Sequence, residues 1–257
     1  MATAQRTDSV SSIVTQLSAA QKTPKSTSAY IVFVNRPIGR LFAAIAFKLG
    51  ATPNGVTAIS GIGTYLSAIA LAFFGGTYPA AFIAGLALCL FYALDSADGQ
   101  LARLQGGGSL RGEWLDHVLD GGKIVLLHSA VLSVLVQSGS VPLPLALGVP
   151  IVFMLASSLL YGGGTLINEL KRRIPRNEDA ETKPLVSAFT ARDWIMSVAL
   201  LAPEHGVISL LVVLLPFSSV FLPIYAAAAL VTATLCVAIS IKWYRDLAQA
   251  DADASLG

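Results

Sequence analysis

LDSADGQLARLQGGGSLRGEWLDHVLD, residues 94–120, sets four aspartates, two arginines and a run of glycines between apolar segments. Acids are scarce elsewhere in this chain. Apolar residues fill 54% of its 257 positions and charged ones only 12%, about half the share usual for a soluble domain. With a mean hydropathy of +0.69, the composition points to an all-α integral membrane protein. Cys89 and Cys236 both lie in apolar runs, where a thiol behaves as a small hydrophobe, so neither a disulfide framework nor a zinc spacing is present.

Working outward from residues 94–120, six apolar segments stand near 54–75, 79–102, 113–137, 143–165, 193–217 and 221–243. Each approaches the roughly 20 residues that cross a bilayer core. The fifth is interrupted by Pro203, Glu204, His205 and Gly206, which can kink or split a helix. Ahead of them, YIVFVNRPIGRLFAAIAFKL (30–49) carries Arg36, Arg40 and Lys48 and a proline. Three cations are costly in hydrocarbon, so this segment is expected to lie in the headgroup region as an amphipathic helix. Residues 1–28 are rich in Ser, Thr, Gln and Lys and are expected to form a disordered tail. Residues 29–247 would form the membrane domain, and 248–257 a second flexible tail.

The cations test this layout independently, because cytoplasmic loops carry the excess of Lys and Arg. Sixteen of the seventeen fall before the first segment, between the second and third, between the fourth and fifth, or at the end of the sixth. The opposite connections, near 76–78, 138–142 and 218–220, have none. Six spans with both termini cytoplasmic produce that pattern. The remaining cation, Lys123, falls inside the third segment, and His205 is expected on the far side from the acids.

On this map Asp95 and Asp98 lie at the cytoplasmic end of the second span, and Asp116 and Asp120 at the start of the third. Spacings of three and four residues put each pair on one helix face. The QGGGS connection is short enough to make the two helices antiparallel neighbours, so that the pairs face each other. Four converging carboxylates repel one another unless a cation stands between them. Mg²⁺ or Mn²⁺ fits an all-oxygen site and commonly bridges to phosphates, whereas zinc would call for Cys or His ligands. The plainer alternative is a set of salt bridges to Arg103, Arg111 and Lys123. Four acids phased on adjoining helices favour a functional site. Gly99 leaves room for a group to approach the backbone, or simply lets helices pack; Arg103 offers a planar fork suited to phosphate.

Together Asp95, Asp98, Gly99, Ala102, Arg103, Gly112, Asp116 and Asp120 spell DxxDGxxAR, eight residues, then GxxxDxxxD. This resembles the signature of the CDP-alcohol phosphotransferase (CDP-alcohol phosphatidyltransferase) family at every signature position. The resemblance implies metal-dependent transfer of a substituted phosphate from a CDP-alcohol to a hydroxyl acceptor, with release of CMP, in phospholipid or related polyol-phosphate biosynthesis. It implies that Asp95, Asp98 and Asp116 bind a pair of divalent ions, Mg²⁺ or Mn²⁺. Asp120 is then the general base, also touching a metal, while Gly99, Ala102, Arg103 and Gly112 contact the nucleotide. It further implies a multi-pass protein of the inner (plasma) membrane with its active site at the cytoplasmic face. Family members are commonly homodimers, and no nucleic-acid partner is expected.

TPN at Thr52–Asn54, followed by Thr57, resembles a stretch near the nucleotide in many members, which adds Asn54 and Thr57 to the nucleotide set; a helix cap explains it equally well. Arg192, Lys123 and Arg172 are candidates for the acceptor site. The donor is either CDP-diacylglycerol or a soluble CDP-polyol, and the acceptor a lipid or a phosphorylated polyol; the prefix SAYIVFVNRPIGR looks more like members related to inositol-phosphate chemistry than like simple glycerophosphate synthases. Two rivals stand beside this assignment. One is an intramembrane prenyltransferase using Mg-diphosphate, which would need separated acidic motifs. The other is a cation transporter using the carboxylates, which leaves the Gly, Ala and Arg positions unexplained and would often show an internal repeat.

Overall fold

The computed structural model describes residues 5–19, 27–173 and 190–255. The described residues form helices and connections, with no strand among them. In chain order the helices are α1 (Val10–Ala19), α2 (Arg36–Lys48), α3 (Pro53–Phe74), α4 (Tyr78–Leu104), α5 (Leu110–Ser138), α6 (Leu143–Arg173), α7 (Ala191–Ala199), α8 (His205–Leu211) and α9 (Ser218–Ser255). A π-helical turn, Ile31–Asn35, leads into α2, and a 3₁₀ turn, Val212–Leu214, follows α8.

Five of these, α3, α4, α5, α6 and α9, are long and apolar enough to cross a membrane. Their outward faces carry Ile59, Ile62, Leu66, Phe73, Leu90 and Leu155, all exposed. A continuous apolar exterior of this kind is stable against lipid and not against water. Inside, Leu71, Leu88, Leu127, Phe153, Ile208, Phe221 and Tyr225 make a common core. Close approach depends on small residues: a Cβ on Gly63 would fall 2.3 Å from the Phe91 ring, and one on Gly122 1.8 Å from the Tyr65 hydroxyl.

The helix expected over 193–217 is not continuous. α7 ends at Ala199, residues 200–204 are non-helical, and α8 begins at His205. The two pieces pack in different places. α7 lies against the segment that leads into α2, with Trp194 stacked on Phe33 at 6.3 Å and the Ser197 hydroxyl donating to the Thr27 carbonyl at 2.7 Å. The chain from Glu204 to Phe217 runs antiparallel beside α4. Tyr92 donates to Glu204 at 2.5 Å, a Cβ on Gly85 would fall 2.9 Å from the Ser209 carbonyl oxygen, and Tyr78 meets Phe217 at 5.8 Å. His205 consequently sits against Tyr92, ring centroids 5.1 Å apart, one helical turn from Asp95. That corrects its expected position on the far side.

Within the stretch read as a solvated tail, residues 10–19 form α1. Ile13 and Leu17, one turn apart, are buried with Ala43, Phe47, Val56 and Leu101. Val10 and Val14 pack against the same cluster, so α1 carries a stripe at i, i+3, i+4 and i+7 that seats a short helix on an existing groove.

Candidate active site at the α4–α5 hairpin

The site begins with a tight turn. Between α4 and α5, Gly106 and Gly107 adopt φ of +95° and +132°, which only glycine takes without strain. The chain thereby reverses within five residues, and the Ser109 side chain accepts from the Gly112 amide at 3.2 Å to start α5. α3 is started the same way, with Thr52 accepting from the Gly55 amide at 3.2 Å and Pro53 in its first turn. Cap formation and a place beside the site are therefore compatible roles for the TPN stretch.

This geometry brings carboxylate oxygens of Asp95, Asp98 and Asp116 all within 4.8 Å of one another. α3 supplies hydroxyls that hold two of them: Thr57 Oγ1 donates to Asp98 Oδ2 at 2.5 Å, and Ser60 Oγ to Asp95 Oδ1 at 3.2 Å. Asp98 also accepts from the Gly99 amide. The donor set is oxygen throughout, and His117 is turned instead to Tyr161, its Nδ1 3.1 Å from the phenol oxygen. A hard divalent ion suits these residues better than zinc.

Asp120 stands apart from the trio. Lys123 Nζ lies 2.8 Å from Asp120 Oδ1 and 2.5 Å from Asp95 Oδ1, with the lysine side chain only 3% exposed. Lys123, an acceptor-site candidate by sequence, is thus placed between two of the four aspartates.

A cavity of about 990 Å³ opens beside Asp98 and Asp116. Its wall contains Asn54, Thr57, Asp98, Gly99, Ala102, Arg103, Gly112 and Asp116, which include six of the eight signature positions; Asp95, Asp120 and Lys123 are not part of it. A Cβ on Gly112 would fall 2.6 Å from Asn54 Oδ1, so the Asn54 amide rests on the Gly112 backbone. Gly99 differs: among the described residues, and apart from its own helix backbone, the only atom within 4 Å of its would-be Cβ is Arg103 Nη1 at 3.9 Å. The protein itself leaves that space open.

The opposite wall comes from α6, through Thr165, Asn168, Glu169 and Arg172. Arg172 is paired with Glu169 at 2.7 Å and Glu113 at 3.2 Å, tying α6 to α5 across the cavity mouth. Of these only Arg172 stood out in the sequence. Thr165 and Asn168 share its face at three- and four-residue spacing, a signal that was present but unselective. Ser60 could have been found as Thr57 plus three on one helix face. Among the cationic candidates, the Arg192 side chain lies outside the described residues.

The CDP-alcohol phosphatidyltransferase family model matches residues 50–252, which take in four of the five long helices, all but the last turn of α9, and the whole cavity wall. The comparison with curated proteins returned no match.

Proposed function

The chain belongs to the CDP-alcohol phosphatidyltransferase family, and from that membership and the α4–α5 geometry we propose that it transfers the substituted phosphate of a CDP-alcohol to a hydroxyl acceptor and releases CMP. The observation that carries this is the meeting of Asp95, Asp98 and Asp116 within 4.8 Å at a cavity walled by most of the remaining signature. Those three aspartates would hold Mg²⁺ or Mn²⁺, a pair of ions in the full reading. Such ions, when bound, stabilise the negative charge that develops on a departing phosphate.

The rest of the work falls to side chains. Thr57 and Ser60 fix the rotamers of Asp98 and Asp95, so the carboxylates are oriented before substrate arrives. Gly99 and Ala102 keep one wall low enough for a nucleotide to lie against the α4 backbone. Arg103 faces the diphosphate with its guanidinium. The acceptor oxygen attacks phosphorus, its proton passes to the Asp120 carboxylate, and the bond between that phosphorus and the CMP oxygen breaks. The α6 wall, with Arg172 braced by two glutamates, is the acceptor side, and Arg192 belongs to the same assignment. The donor is a CDP-diacylglycerol or a soluble CDP-polyol. The cavity opens at the cytoplasmic face, Glu204–Phe217 serves as a short sixth crossing, and both termini stay on that face.

Asp120→Asn tests the scheme in purified protein. It should bind CMP as the parent does while CMP release from CDP-alcohols falls by at least about a hundredfold, the usual contribution of a general base. A variant that still turns over removes Asp120 as the base.

A further inference from the structure

Lys123 is the one lysine of the described residues whose charge is buried among the aspartates of the site. It stands one turn beyond Asp120 on α5, and its ammonium reaches across to Asp95 on α4. The turn that carries it is pressed flat against α3. The Tyr65 hydroxyl donates to the Leu119 carbonyl at 3.0 Å and leaves no room for a side chain at Gly122. No signature position accounts for this lysine. A buried ammonium bonded to a carboxylate of a cation-binding trio has a direct electrostatic consequence: it satisfies the acids when no other cation is there, and it opposes one that enters.

We infer that Lys123 is a resident counter-cation, a positioning residue that holds Asp95 and Asp120 together and competes with a divalent ion for the carboxylate site. The inference rests on the assignment of Asp95, Asp98 and Asp116 as metal ligands. It makes Lys123 part of the machinery that sets metal affinity, and it gives Asp120 a fixed position independent of the metal. An ion pair serving packing alone would have no such effect on metal affinity.

Mn²⁺ binding to the purified full-length protein in nanodiscs, read by electron paramagnetic resonance, tests it without any need for turnover. Lys123→Met should bind Mn²⁺ more tightly by about tenfold or more, because a like charge has been removed from the edge of a partly dehydrated site. In the same variant CMP release should fall through kcat with the donor KM little changed, since Asp120 loses its anchor; Lys123→Arg should restore part of both. Lys123→Gln is measured alongside, so that failure of one variant to fold leaves the other to decide. Unchanged or weaker Mn²⁺ binding in folded variants of a protein whose wild type binds Mn²⁺ would overturn the role of Lys123 alone. A wild type that binds no Mn²⁺ would overturn the metal assignment, and this inference with it.

Discussion

Gly99→Ala separates what the helix wants from what the site needs. Glycine in a helix interior costs about 0.5–1 kcal/mol relative to alanine, and the new methyl at Gly99 would meet only Arg103 Nη1, at 3.9 Å. The substitution should therefore stabilise α4 by an amount approaching that figure, seen as a raised unfolding temperature in detergent. The same methyl points into the cavity wall where a nucleotide is to lie on the backbone. Overpacking a filled contact costs roughly 1–3 kcal/mol, so CMP binding in the presence of Mg²⁺ should weaken about 5- to 150-fold by calorimetry. Gly63→Ala is the contrast, because its methyl would collide with the Phe91 ring and should lower stability. If Gly99→Ala were more stable and bound CMP as before, the cavity beside Gly99 would not be the nucleotide site.

Two further predictions concern the split segment that precedes α9. Tyr92→Phe removes the hydroxyl that donates to Glu204, a carboxylate only 7% exposed, and should lower stability by about 1–3 kcal/mol in thermal unfolding; no loss would mean that Glu204 is satisfied without it. With Trp114 and Trp243 replaced by Phe, the fluorescence of Trp194 should be quenched most by lipids brominated near the headgroup, because α7 packs beside the amphipathic N-terminal segment. Strongest quenching by deep bromines would instead put α7 inside the hydrocarbon.

Spacing along the chain was enough to phase Asp95 with Asp98 and Asp116 with Asp120, and the glycine-rich turn was enough to bring the two helices face to face, because both are local properties of short helical segments. Lys123 was legible as a salt-bridge partner and Ser60 as Thr57 plus three, but which of the acids each would meet was not. That Ser60 and Lys123 meet Asp95 depends on the rotation of α3 and α5 about their axes, which is set by contacts such as Tyr65 over Gly122 and Phe91 over Gly63. The interruption at Pro203–Gly206 was visible as a helix breaker, but the count of basic residues in loops is blind to where the pieces go. A short helix beside the segment that leads into α2, followed by a chain that runs along α4 from Glu204 to Phe217, leaves the same charge pattern as one continuous span. α1 escaped for a related reason: Val10, Ile13, Val14 and Leu17 form a stripe set among Ser, Thr and Gln, and its value depends on a groove made by α2 and α4.

Release of CMP tests most directly whether two adjoining helices hold a divalent ion where a CDP-alcohol binds. The protein in nanodiscs is given a panel of CDP-alcohols and hydroxyl acceptors, with Mg²⁺ or Mn²⁺ and then with chelator. Release of CMP that requires both an acceptor and a divalent ion, and that disappears in Asp98→Asn, is the predicted result. Release that persists in chelator, or an inert panel beside cation flux through liposomes containing the protein, would contradict it.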